Sequence, residues 1–135
     1  MEYLQELNSW LMGFPLWGEA APGVDITGAE PGNCGLFPQG VELLQSREDV
    51  LGNRTTSLRQ VFLLRRTALR GEDAAGWLAA FQGWVAQNAA TAPQFGLRQR
   101  FRAEKGRLIA AAPTGVGTYE VRLTAEYEHE ENYNV

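Results

Sequence analysis

His129 and Cys34 are the chain's single histidine and single cysteine, and they bound the nucleophilic and metal chemistry it could perform. His129 lies in Glu128-His129-Glu130-Glu131. A metal site there would need further ligands at suitable spacing, and the sequence supplies none. The segment reads instead as an exposed strand end running into a tail. Cys34 has no histidine near it in sequence, so a Cys–His nucleophile would require His129 to fold back onto it. A lone cysteine also cannot form an internal disulfide, so the fold does not depend on oxidising conditions. Gly115-Val116-Gly117 matches part of a dinucleotide fingerprint, but no third glycine follows and a strand rather than a helix comes next. It reads as a turn. There is no G-x-x-x-x-G-K-[ST] phosphate loop. Asn53-Arg54-Thr55 is formally a glycosylation acceptor, which means little without a secretion signal. The carboxylates are spread along solvent faces. The expectation is a protein that is not an enzyme and uses no metal or cofactor.

The remaining chemistry is arginine. Eleven of the twelve basic residues are arginine, with Lys105 the single lysine. Arginine pairs carboxylates through two parallel hydrogen bonds, whereas non-specific phosphate binding usually recruits lysine as well. The net charge of −4 conceals three blocks. Residues 1–53 carry one basic group against eight acidic, residues 54–107 ten against three, and residues 108–135 one against five. The chain therefore reads acidic, basic, acidic. Arg54, Arg59, Arg65, Arg66 and Arg70 lie on or around one expected strand, and Arg98, Arg100, Arg102, Lys105 and Arg107 on an expected hairpin. Alternation would set Arg98, Arg100 and Arg102 on one face with Phe101 opposite. Two readings follow. The arginines could pair across strands with Glu120, Glu126 and Glu128 in one sheet. Alternatively, basic and acidic surfaces of neighbouring copies could meet head to tail, an arrangement that forms rings when the rotation closes. On the second reading the candidate interface residues are Arg59, Arg65, Arg98, Arg100, Arg102, Glu120, Glu126 and Glu128.

These residues need a scaffold, and 135 residues suit one domain that buries about 68% of its unfolded surface. The 44% hydrophobic and 21% charged fractions are those of a globular protein. The N-terminus lacks the basic flank and apolar run of a secretion signal, and no stretch approaches the roughly 20 apolar residues that span a bilayer. Intracellular synthesis without a membrane partner is the expectation. Tyr3, Leu4, Leu7, Trp10, Leu11 and Phe14 form one helical stripe, giving a helix over about 2–13 that Gly13 and Pro15 end. A Pro/Gly-rich loop is expected over 15–40, with brief strands near Val24–Thr27 and Leu36–Phe37. Val41–Glu48 and Thr55–Leu69 form a long hairpin (about 41–69) around the turn Asp49–Asn53. Apolar residues of both parities at the centre of the return strand suit a strand covered on each side. A second helix over about 72–90 opens on Glu72 and Asp73, carries Trp77, Leu78, Phe81, Trp84 and Val85 on one stripe, and closes before Pro93. A second hairpin, Arg98–Glu104 and Arg107–Ala112, is expected around Lys105-Gly106. The last strand, with C-terminal strands over about 98–128, sets Tyr119, Val121, Leu123, Ala125 and Tyr127 opposite Glu120, Arg122, Thr124, Glu126 and Glu128. This order predicts a single α+β domain, a mainly antiparallel sheet with two amphipathic helices on one face.

The order of these elements is similar to that of the small minor capsid or tail terminator (head–tail joining) proteins of tailed phages and prophages of Gram-positive bacteria. The resemblance runs from Tyr3–Leu11 through Val61-Phe62-Leu63-Leu64-Arg65-Arg66, the Trp77-Leu78…Phe81…Trp84-Val85 helix and Pro93-Gln94-Phe95-Gly96. It ends with Gly117-Thr118-Tyr119-Glu120-Val121-Arg122-Leu123 and the strand to Tyr127. It implies a non-enzymatic virion component of α+β fold, placed in the tail or head–tail junction after assembly in the host cytoplasm. Copies of such proteins form a ring, commonly a hexamer, which caps the tail tube and docks to tail tube and connector or neck proteins. The resemblance implies no specific nucleic acid, cofactor or catalytic residue. A reading of a different class is a nucleic-acid-binding accessory protein that uses the arginine-rich second hairpin.

Overall fold

Burying one stripe of each helix and one parity of each strand dictates two layers, helices on sheet. The computed structural model describes residues 2–17, 23–24, 34–68, 73–111 and 117–131. Within them the order is α1 (Glu2–Leu11), β1 (Gly23–Val24), β2 (Cys34–Glu48), β3 (Arg54–Thr67), α2 (Ala74–Asn88), a 3₁₀ turn (Ala89–Thr91), β4 (Leu97–Ala103), β5 (Arg107–Ala111) and β6 (Gly117–Glu131). The sheet runs β1-β2-β3-β6-β4, and β5 also pairs with β6. Every pairing is antiparallel except the two-residue contact of β1 with β2. The fold is α+β and mainly sheet, as expected.

Both helices face the same side of the sheet. Leu4, Leu7, Leu11 and Phe14 follow the helical stripe of α1 and its exit into the core. The Trp17 indole N–H donates to the Leu11 carbonyl at 2.7 Å, which also accepts the Phe14 N–H at 3.0 Å, so this carbonyl at the end of the helix is doubly satisfied. Asp73 caps α2, its Oδ1 accepting from the Gly76 N–H at 3.1 Å. Trp77, Phe81 and Val85, four residues apart, are the buried residues of α2. Trp77 and Phe81 stack at 5.3 Å, and Phe14 meets Trp77 and Phe81 edge-on at 5.6 and 5.3 Å. Beneath them lie Leu36, Phe62, Leu64, Phe101, Val121, Leu123 and Ala125, all on the same side of the sheet by register.

Two expectations about the strands are corrected. The loop expected to reach residue 40 ends earlier, because β2 begins at Cys34 and absorbs both the Leu36–Phe37 and Val41–Glu48 segments. Pro38 and Gly40 do not break it. The register with β3 shifts between them, Gly40 takes φ of 120°, and β1 pairs only as far as Leu36. A proline at a bulge on an open edge gives up no ladder hydrogen bond it needs. Of the short strand expected at Val24–Thr27, Val24 lies in β1 and the rest lies outside the described residues, as does Leu69 at the end of the expected return strand.

The second correction concerns Lys105-Gly106, which is not a hairpin turn. β4 and β5 do not pair with one another; they run end to end along β6, β4 on residues 123–128 and β5 on residues 117–120. Across the gap the Glu104 N–H donates to the Arg122 carbonyl at 2.8 Å, so the ladder barely lapses. Gly106 sits where this line passes beneath α2, and a Cβ there would lie 2.6 Å from a Leu78 methyl. The glycine lets Leu78 lie close over the strand line and does not mark a turn.

Candidate functional site

The side of the sheet away from the helices carries the charged residues. Strand alternation puts Glu42, Arg59, Glu126 and Arg100 in one row across β2, β3, β6 and β4. The signs alternate along it. Arg59 donates to Glu126 Oε1 at 2.8 Å and to Glu42 Oε2 at 3.3 Å. A second row crosses Arg65, Glu120 and Arg107. There Glu120 is held between two guanidiniums, accepting from Arg65 Nε and Arg107 Nη2 at 2.9 Å each. Its side chain is 9% exposed. Burial pushes the Glu120 carboxyl up, but the hydrogen bonds from Arg107 and Arg65 outweigh it and hold the group below the usual carboxylate range. At the far end Arg98 pairs with Glu128 and with Glu130, the latter at 2.6 Å. Arg122 reaches Glu42 at 3.4 Å and Glu104 at 3.9 Å.

The basic and acidic blocks therefore meet inside one chain. β3, β4 and β5 carry the arginines, and each is a direct neighbour of the acidic β6. Of the eight candidate residues, the sheet brings together Arg59 with Glu126, Arg65 with Glu120, Arg98 with Glu128, and Arg102 with Glu126 at 3.6 Å. Within the chain the cross-strand arrangement is therefore observed, so the reverse face carries both signs together. Glu42, Glu104, Arg107 and Arg122 belong to the same lattice but were not among the candidate residues. Glu42 was hard to foresee, because register shifts at Pro38/Gly40 and Leu43/Gln45 break simple alternation along β2.

Arg100 differs from its neighbours. It is exposed and enters no ion pair among the described residues, although its partner in register is Glu126. The expected alternation of Arg98, Arg100 and Arg102 is interrupted by a bulge: Arg98 has φ of 51°, and the register shifts between Leu97 and Arg100. Phe101 points to the core as expected. A groove of about 560 Å³ crosses this face from Leu44 and Gln45 to Arg98 and Arg100.

The second distinctive region is the outer end of the β2–β3 hairpin, with β6 pairing alongside it as far as Glu131. Residues 41–50 are exposed throughout. Val41, Leu43, Leu44, Val50 and Leu51 all stand in the open, Leu43 at 66% and Val50 fully exposed. The tip is nonetheless well tied. Asp49 Oδ1 accepts from the N–H groups of Leu51 and Asn53 at 2.9 and 3.0 Å, and Asn53 Nδ2 donates to Asp49 Oδ2 at 3.2 Å. These bonds, the Asn53 N–H foremost, hold the Asp49 carboxyl below its ordinary value. They form an Asx-type turn that fixes Val50 and Leu51 outward.

The two nucleophile and ligand candidates lie far apart in the sheet. Cys34 is buried at the start of β2 opposite Arg66, and its burial pushes the thiol up to about 12, only partly opposed by the Arg66 charge. His129 is exposed on β6, opposite Thr56 near the hairpin tip. No group of three or more His, Cys, Asp or Glu side chains among the described residues is arranged to hold a metal ion. No helix among them is long and apolar enough to cross a membrane. A scan against models of protein families and a search of curated proteins both find no match to this chain.

Proposed function

We propose that the protein is a structural assembly module of the phage tail terminator type, which self-associates into a ring at the head–tail junction. The observation that carries this reading is the hairpin arm. Apolar residues exposed in a contiguous strand and turn mark a surface meant for another protein. Here the turn that presents Val50 and Leu51 is held by three hydrogen bonds that the Asp49 carboxylate accepts, one from Leu51 and two from Asn53. A tied tip loses little freedom when it docks. The order of elements supports the same reading, with the helices on one face and the opposite face and hairpin left for neighbours.

The pairing of Arg59, Arg65, Arg98, Arg102 and Arg107 with carboxylates leaves little uncompensated positive charge for phosphates. Size-exclusion chromatography with light scattering, on the protein alone and with tail tube protein, tests the proposal. The expected result is a closed oligomer of discrete mass, with DNA mobility unaltered at low salt. A strict monomer in the presence of tail tube protein sinks it.

A further inference from the structure

Among the described residues the sheet ends in two open edges. On one side β1 covers β2 only at Gly35 and Leu36, so from Phe37 to Glu48 no described strand pairs with its outer edge. On the other side β4 is the last strand. An uncapped edge is a row of unpaired N–H and C=O groups, ready to accept another strand. Pro38 and the bulge beside it interrupt this edge at its start, and a second shift falls between Leu43 and Gln45, but Val41–Glu48 itself contains neither proline nor lysine, the residues that most often block such pairing.

The two edges are complementary in three respects. Three antiparallel steps separate β2 from β4, so the two strands run in opposite directions. A neighbour brought alongside by rotation about an axis parallel to the strands would therefore present its β4 antiparallel to this β2. Next is level: Glu42 and Arg100 occupy the same transverse row, as β2 and β4 partners of Arg59 and Glu126. A join along that row carries no rise from copy to copy, the condition for a ring rather than a filament. The third is charge. β4 carries Arg98, Arg100 and Arg102 and no acid, and Arg100 is the one without an ion pair among the described residues. Glu42 has a side chain that is 52% exposed beside Arg59 and Arg122. Pairing β4 with itself would instead set arginines against arginines.

We infer that copies of this chain join edge to edge, β2 of one adding antiparallel to β4 of the next with Glu42 opposite Arg100. The row Glu42, Arg59, Glu126, Arg100 then continues into the neighbour's Glu42 without a break in alternation. Leu43 and Val41, exposed in the single chain, come to lie beside the neighbour's β4. This contact rests on the self-association reading and specifies which surfaces make it.

The test is oxidative cross-linking of Glu42→Cys/Arg100→Cys, with each single substitution as control. Directly opposed residues in a strand pair have Cβ atoms about 4.5–5.5 Å apart, close enough to bridge with a small adjustment. Buried Cys34, with its raised thiol pKa, stays out of the reaction. The double variant should give a ladder ending in a closed, reducible ring, and neither single variant should give one. Arg100→Glu in the otherwise native chain should raise the concentration needed for assembly about tenfold, with folding unchanged. Efficient dimers from Glu42→Cys alone would overturn the inference by showing that like edges meet. Oligomers by light scattering without the ladder and indifferent to Arg100→Glu would overturn it while leaving self-association intact. A monomer by every measure would overturn both.

Discussion

One sheet presents two unlike faces, and the same strands build both. Toward the helices, Leu36, Phe62, Leu64, Val121 and Leu123 are almost wholly buried beneath an aromatic cluster of Phe14, Trp17, Trp77 and Phe81. On the other side the alternate positions of β3 and β6 include Arg59, Arg65, Glu120 and Glu126, matched in rows of alternating sign. The helical face gains from removing apolar area from water, at about 25 cal/mol per Å². The charged face gains much less per contact, since exposed ion pairs contribute about 0–1 kcal/mol each. Val61 and Thr124 are nonetheless buried on the charged face, where Arg102 Nε lies 3.3 Å from Thr124 Oγ1. Arginine stems cover the strands there while their charged ends stay wet. The division teaches that most of the apolar burial lies on the side under the helices, while the reverse side is held by fewer buried groups and by ion pairs.

The contrast can be broken most sharply at Phe81. Truncation by Phe81→Ala should cost about 3–5 kcal/mol, a large part of the stability of a domain this size, read from urea unfolding. A loss below about 1 kcal/mol would mean that the aromatic cluster is not the main source of stability.

A smaller effect is expected at Glu120, the most enclosed member of the charged lattice. Glu120→Gln should cost about 1–2 kcal/mol at neutral pH, because two charge-assisted hydrogen bonds weaken. The sign of the pH dependence follows from its depressed carboxyl. The stabilisation is complete above the unfolded value of about 4.3 and is lost as pH falls through the lower folded value. Urea midpoints of the native and Glu120→Gln proteins should therefore converge on acidification. A constant offset down to the lowest pH would show that the charge on Glu120 contributes nothing.

Least should happen at the hairpin tip. Val50→Ser and Leu51→Ser should change folding stability by less than about 0.5 kcal/mol, since both side chains already stand in water. The same substitutions should weaken assembly or docking in light scattering. Unchanged assembly would detach the tip from the contact surface.

Much of the helical face was legible in the chain. The stripe Leu4, Leu7, Leu11, Phe14 and the stripe Trp77, Phe81, Val85 are local patterns, and so is the alternation from Tyr119 to Glu128. Periodicity reveals them because a helix or strand repeats over a few residues. The start of β2 was hidden because Pro38 and Gly40 resemble loop residues, and only the bulge and open edge around them make a strand tolerable. The end-to-end placement of β4 and β5 was hidden for a related reason. Lys105-Gly106 looks like a turn until Leu78 of α2 is seen to occupy the space a side chain would need.

The charges divide along the same line. Sequence alone determined that the middle of the chain is arginine-rich and its flanks acidic, and that alternation on the last strand would gather Glu120, Glu126 and Glu128 on one side. It left open whether those charges meet within a chain or between chains. Tertiary structure shows the meeting within the chain, by inserting β6 between β3 and the β4–β5 line and bringing residues more than fifty positions apart within 3 Å of each other. Strand order is a long-range property, set by which apolar faces can be buried together under the helices. The charges on the reverse side take whatever neighbours that burial assigns them.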